Sequence, residues 1–216
     1  MIAYGVPVSP YVRKVLVACI AKGLDYEHQP TLPGSDEAEF RAASPIGKIP
    51  ALKDGDLQVS DSSVILDYLE EKYPAVPLRP DSPELRARSR WYEEWADTKL
   101  VEACTPFFFE HFAKKVFGDP SPPDEARLEE VRTTIVPVHL AYLESQAPES
   151  GFMFGDELGI ADIALLSPMI NGEYGGYVIS AEEYPRTAAY RDRIKAHPAV
   201  AQALEAEKAV MGALAA

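Results

Sequence analysis

Cysteine is nearly absent from this chain of 216 residues. Cys19 and Cys104 lie far apart, each within an apolar helical pattern, so they read as buried thiols of a reducing compartment rather than a disulfide. Histidine is as scarce: four histidines and two cysteines nowhere approach ligand spacing, which leaves a metal site without support. Long hydrophobic runs are missing too. No segment reaches the roughly 20 apolar residues of a membrane span, and no basic run precedes an apolar stretch at the N-terminus, so no membrane association is expected and the cytoplasm is the default location. Basic residues are the minority, 21 against 34 acidic ones, for a formal net charge of -13. That balance opposes binding to nucleic acid or an anionic membrane, so any anionic ligand must be held by a local positive site.

The chain does have apolar content, 47% of residues, enough for a well-buried core in one large domain or two small ones. "MIAYGV" reads as a short strand, and Pro7 and Pro10 enclose the turn after it. From Tyr11, Val12, Val15, Leu16, Cys19 and Ile20 recur at helical spacing until Lys22-Gly23 closes the helix. "LDYEHQP" supplies a second strand, completing a βαβ unit with a parallel pair. After a loop with a short helix around Glu37 to Ala43, Ile49 to Leu52 and Leu57 to Val59 bracket Asp54-Gly55 as a hairpin. A helix follows, with short polar side chains at Ser60 to Ser63 and an apolar face of Val64, Ile65, Tyr68 and Leu69. Its start is either simply capped or an anion site, since a helix N-terminus carries free donors and the positive end of the dipole. Pro50 favours the second reading. A proline entering a sheet strand needs an edge, a bulge or a cis peptide, and a cis Ile49-Pro50 bond would turn backbone polar groups outward for an extended peptide to pair with.

Pro77, Pro80 and Pro83 form a semi-rigid connector. The expected division is therefore an α/β domain at 1–76 in the order βαβαββα with a mixed sheet, a linker at 77–83, and an all-helical domain at 84–216. The helices expected in the second domain run from Glu84 to about Phe117 with a kink at Pro106, Asp124 to Gln146 bent at Pro137, Ala161 to Ile170, Thr187 to Ala196, and Ala199 to Leu214. "NGEYGGYV" reads as a flexible connection.

"GKIPAL", followed by "DSSVILDYLEEKYP", resembles the glutathione-binding half of the thioredoxin-like domain of cytosolic glutathione transferases, and the order of elements resembles that family over nearly the whole length. The resemblance implies that Ile49 and a cis Pro50 hold the cysteinyl part of glutathione, that Asp61 and Ser62 receive its γ-glutamyl end, and that Lys48 meets a carboxylate. "GDELGIADIALLSPM" is similar to a helix-start element of the family's helical domain, but Gly159 stands at the cap, so only the Asp162 half of the reciprocal pair can form. Asp162 is expected to be structural.

"SPYVRKV" resembles the catalytic segment of the serine-type classes, in particular the plant tau class and related bacterial enzymes. Ser9 before Pro10 is also an ordinary helix start. The resemblance implies that the Ser9 hydroxyl instead donates to the glutathione sulfur, whose thiol is only a few per cent ionised at neutral pH when free. No Gly-x-Ser-x-Gly elbow surrounds Ser9, so it is not a covalent nucleophile. Arg13, four residues on, is a candidate for thiolate support or for a salt bridge, and Tyr4 is expected in the core. Serine rather than cysteine at this place implies conjugation, elimination or isomerisation rather than disulfide chemistry. Glutathione is thus the expected co-substrate, with an apolar electrophile as its partner. Tyr11, Phe108, His111 and Phe112 are candidate walls for that electrophile. Phe107, Phe108 and Phe109 cannot all face one core from a helix. The resemblance also implies a homodimer. The alternatives are a non-catalytic member that binds glutathione or an apolar ligand, and a glutathione-dependent isomerase or dehalogenase.

Overall fold

A computed structural model of the chain describes residues 1–215, with side chains through residue 212. Four strands, β1 (Ile2–Tyr4), β2 (Glu27–Gln29), β3 (Ala51–Asp54) and β4 (Leu57–Ser60), form one sheet in the order β2-β1-β3-β4. β1 pairs with β2 in parallel and with β3 antiparallel, and β3 and β4 form the hairpin with Leu52 opposite Val59. The sheet is mixed, as expected. Its turn falls one residue later than the sequence suggests. Gly55 and Asp56 are the central pair, and only Gly55 has positive φ (61°), the pattern in which glycine takes the first central position.

Alternation along the strands feeds two apolar layers. Ala3 and Leu52 pack with Val12, Val15, Leu16 and Cys19 of α1 (Pro10–Ala21) and with Ile65 and Leu69 of α3 (Ser62–Lys72). Tyr4 and Ala51 pack on the opposite face with Phe40 and Ala43 of α2 (Ala38–Ala43). Tyr4 is fully buried in this layer, and burial raises its phenol. α1 is buried on a second face as well: Val17 and Ala18 belong to the core of the helical part. It is therefore the layer shared by both halves.

The helical part begins with α4, a continuous stretch at residues 83–116 whose hydrogen bonding widens to π-helical at Ala96–Leu100 and Phe109–Ala113, on either side of Pro106. Proline removes a donor and crowds the preceding turn, and π segments are a common way for a helix to absorb such a defect. α5 (125–146) behaves similarly, with a π-helical segment at Val131–Ile135 just ahead of Pro137. α6 (Ile160–Tyr174) is buried along nearly its full length, and α7 (Pro185–Ala196) and α8 (Pro198–Ala215) complete the bundle.

Two sequence readings change here. Asn171 to Tyr174 are the last turn of α6 rather than a flexible connection, and Gly175 caps that turn. A Cβ at Gly175 would stand 2.2 Å from the Phe107 carbonyl carbon, so the glycine is required by close helix packing. At the other end of α6, Asp162 accepts from the backbone N–H of Gly159 (2.8 Å) and Met153 (2.8 Å) and from the Tyr190 hydroxyl. The half of the capping pair that glycine permits is present, and Asp162 is structural.

Asp54, at the end of β3, ties the hairpin to α3 by accepting from Tyr68 (2.8 Å), Tyr73 (2.7 Å) and Lys72 (3.0 Å). Burial alone would raise its carboxyl, but these donors outweigh it and hold it down at about 2. A depressed carboxylate contributes stability above its unfolded pKa and loses it as pH falls through the folded value. Asp54→Ala is expected to lower the unfolding free energy by about 2 kcal/mol at neutral pH. In thermal melts the difference from wild type should shrink as pH falls from about 4 toward 2.

Candidate active site

A cleft of about 750 Å³ opens between the sheet domain and the helical part. Its sheet-side wall carries Ser9, Lys48, Ile49, Pro50, Asp61, Ser62 and Ser63, and its helical wall carries Asp97, Thr98, Val101, Thr105, Phe108 and Phe109. Ser9 and Ser63, 54 positions apart, meet here because α1 and α3 both start at the same end of the sheet, as loops leaving β1 and β4 turn into helices.

Ser9 is the N-cap residue of α1 by position, with extended backbone (φ -68°, ψ 130°) ahead of Pro10, yet its hydroxyl makes no capping hydrogen bond. The cap and cleft roles do not compete for this side chain. The Ile49-Pro50 peptide is cis, and the Pro50 carbonyl accepts from the Asp61 N–H (3.3 Å), tying the loop before β3 to the start of α3. Asp61 is the capping residue there: its Oδ1 accepts from the N–H groups of Ser63 (2.9 Å) and Val64 (3.2 Å). Its φ of 87° is the left-handed region, and Asp61 is the one non-glycine residue with positive φ among those described. Strain of this kind, on the order of 1–3 kcal/mol, persists where surrounding contacts over-determine the conformation. Lys48 is exposed at the cleft and forms no salt bridge among the described residues.

A buried ion cluster lies behind α3. Lys14, fully buried, is shared between Glu93 (3.2 Å) and Asp97. Glu93 also receives Arg79 (2.8 Å) and the Ser63 hydroxyl (2.8 Å). Burial would raise both carboxyls. For Glu93 the Lys14 and Arg79 cations outweigh it and hold the group low, whereas Asp97, with Lys14 as its one cation and Glu93 beside it, is pushed up by burial to about 6. The Tyr11 hydroxyl donates to the Asp97 carbonyl oxygen (2.9 Å), placing its ring on the cleft wall.

Three expected wall or support residues move. Arg13 does not support the cleft chemistry directly: its guanidinium is turned into the helical part, where it pairs with Glu207 through two bonds of 2.7 Å and is 1% exposed. A helix residue four along shares the face of Ser9, but here that face meets α6 and α8 rather than solvent. His111 holds its Nδ1 against the Phe107 carbonyl (2.9 Å), and Phe112 stacks behind Phe108 at 5.9 Å; neither lines the cleft. The consecutive phenylalanines divide as helical geometry requires. Phe107 stacks on Tyr177 in the core at 4.6 Å, while Phe108 and the exposed Phe109 face the cleft. Sequence reading missed Asp97, Thr98, Thr105 and Asn171. Asp97 and Thr98 lie in one π-helical segment and Phe109 in the other, so the register that aims them cannot be counted at 3.6 residues per turn.

Among known proteins, residues 4–79 match the family model described as glutathione S-transferase, N-terminal domain, and residues 95–207 that for its C-terminal domain. The chain is 32% identical to glutathione S-transferase theta-3 of Mus musculus over 81% of this chain and 72% of that one. It is 30% identical to maleylacetoacetate isomerase of Pseudomonas aeruginosa over 88% and 89%. A solved glutathione S-transferase structure from Rhodospirillum rubrum superposes with a TM-score of 0.81 at 30% identity, over 92% of this chain and 89% of that chain.

Because its folded pKa lies above the unfolded carboxylate value, Asp97 binds a proton more readily in the native state and costs stability as pH rises from about 4 to 6. Asp97→Asn is expected to gain on wild type in thermal melts over that interval and to hold the gain above it. A constant difference across the interval would show that Asp97 titrates normally.

Proposed function

The chain belongs to the glutathione S-transferase family, and from that premise we propose that it ionises the glutathione thiol at Ser9 and that the thiolate attacks an electrophilic carbon of an uncharged apolar partner in the cleft, the sulfur remaining on the tripeptide. The carrying observation is the Ser9 hydroxyl: it lies on the cleft wall at the start of α1 and is not spent on capping. A hydroxyl donor together with the positive end of the helix lowers the cost of a thiolate. In this reading Ile49 and Pro50 hold the cysteinyl backbone, the start of α3 with Asp61 and Ser62 receives the γ-glutamyl end, and Lys48 meets a carboxylate. Sulfur would then point toward Tyr11, Val101, Phe108 and Phe109. Lys48 is the one Lys or Arg that lines the cleft among the described residues, which supports an uncharged electrophile over an anionic one.

Residues 1–76 and 84–216 are the two domains of this enzyme, with 77–83 as linker, and the cytoplasm is its place, which its free, buried thiols suit. It works as a homodimer. Supporting that, Trp91 (49% exposed) stacks on Trp95, with Tyr142 edge-on to both, an aromatic face too apolar for water alone.

Ser9→Ala should raise the pKa of bound glutathione, read by thiolate absorbance in the ultraviolet, and lower kcat by roughly tenfold or more, as expected for losing a hydrogen bond to a charged group. Unchanged values would refute the assignment. Sedimentation should give twice the 23.7 kDa chain mass for wild type and the single chain mass for Trp91→Glu.

A further inference from the structure

The loop that carries Ser9 is held from outside its own domain. The Val8–Ser9 peptide has two polar groups. Its N–H donates to the Val6 carbonyl (3.1 Å) within the loop. Its C=O accepts from Asn171 Nδ2 at 3.0 Å, from the last turn of α6 in the helical part. Among the described residues, the only other donor to that oxygen is Arg13 Nη2, at a long 3.5 Å.

Asn171 is itself fixed. It is fully buried, and its Oδ1 accepts from Arg13 Nη1 at 2.8 Å. An amide flip would set its NH2 against the guanidinium and its oxygen against the Val8 carbonyl, so the cation dictates which end faces Val8. Arg13 in turn is locked by its paired bonds to Glu207 and by Nη1 donating to the Ser167 carbonyl (2.5 Å), and Glu207 accepts from Tyr174 (2.9 Å). The chain of contacts runs from α8 through α1 and α6 to the peptide that precedes Ser9.

We propose that Asn171 is a positioning residue for Ser9: its amide, oriented by the Arg13–Glu207 pair, fixes the Val8–Ser9 peptide plane and so aims the Ser9 hydroxyl at the glutathione sulfur. This rests on the role proposed for Ser9. A hydroxyl donor to a thiolate works over a few tenths of an ångström, so a peptide free to rock at its carbonyl end weakens the bond without removing the residue. Arg13, placed by its sequence position near the chemistry, thereby acts on it at one remove.

The test is a double-mutant cycle of Ser9→Ala with Asn171→Leu, an uncharged side chain of similar volume, read by the pH titration of bound glutathione and by steady-state kinetics. Asn171→Leu should raise the bound thiol pKa and lower kcat roughly three- to tenfold at neutral pH, with KM for glutathione within about twofold of wild type. Added to Ser9→Ala, it should shift the thiol no further, because the group it positions is already gone. Asn171→Ser, which leaves room for water at the Val8 carbonyl, serves should the leucine variant not fold, and should show the same non-additivity. A wild-type thiol pKa in the Asn171 variants, or a shift that adds in full to that of Ser9→Ala, overturns the proposal while leaving the Ser9 role intact. A wild-type thiol pKa in Ser9→Ala overturns both.

Discussion

Two consecutive cations on α1, Arg13 and Lys14, are buried to 1% and 0% exposure, and the rest of the molecule is arranged so that neither is left alone. An unpaired buried charge costs several kcal/mol. Successive helix residues point about 100° apart, so one carboxylate cannot serve both. Arg13 is met by Glu207 from α8, and Lys14 by Glu93 and Asp97 from α4. These are the first and last helices of the helical part in chain order, and α1 is tied to both. Hydrophobic packing alone, through Val17 and Ala18, would bring the two halves together; the ion pairs set the angle at which they meet.

That angle makes the cleft. The starts of α1 and α3 lie on one wall, and the π-helical segments of α4 push Asp97, Thr98 and Phe109 out on the other. In a chain of net charge -13, a bound anion depends on such local donors, because the overall field repels it. The same cleft is polar on the sheet side and apolar along Val101, Phe108 and Phe109, a division suited to a peptide on one wall and an apolar partner on the other.

The sheet domain was largely legible in sequence because its contacts are local. Alternating residues around one turn, a proline ahead of β3, and a polar cluster ahead of α3 each state their structure within a dozen positions. Even the one-residue shift of the turn to Gly55-Asp56 leaves the pairing of Leu52 with Val59 in place. The helical part was legible as helices but not as a wall. Pro106 signalled a defect, and nothing in the spacing told which way α4 would aim Asp97 ahead of it or His111 and Phe112 beyond it.

Arg13 marks the boundary between the two kinds of information. The sequence by itself determined the βαβαββα order, the mixed sheet and the helical second half, since hydrophobic period and turn chemistry act between near neighbours, while the grouping of Ser9 with Ile49, Pro50, Asp61 and Ser62 came from the resemblance of two short segments to a known family. Only the tertiary structure decided that Arg13 faces Glu207, 194 positions away, that Asn171 reaches Val8, and that Phe109 rather than Phe112 lines the cleft. The physical reason is that a buried charge or amide is fixed by whichever partner the packing brings within about 3 Å, and no periodicity along one helix encodes what lies across from it.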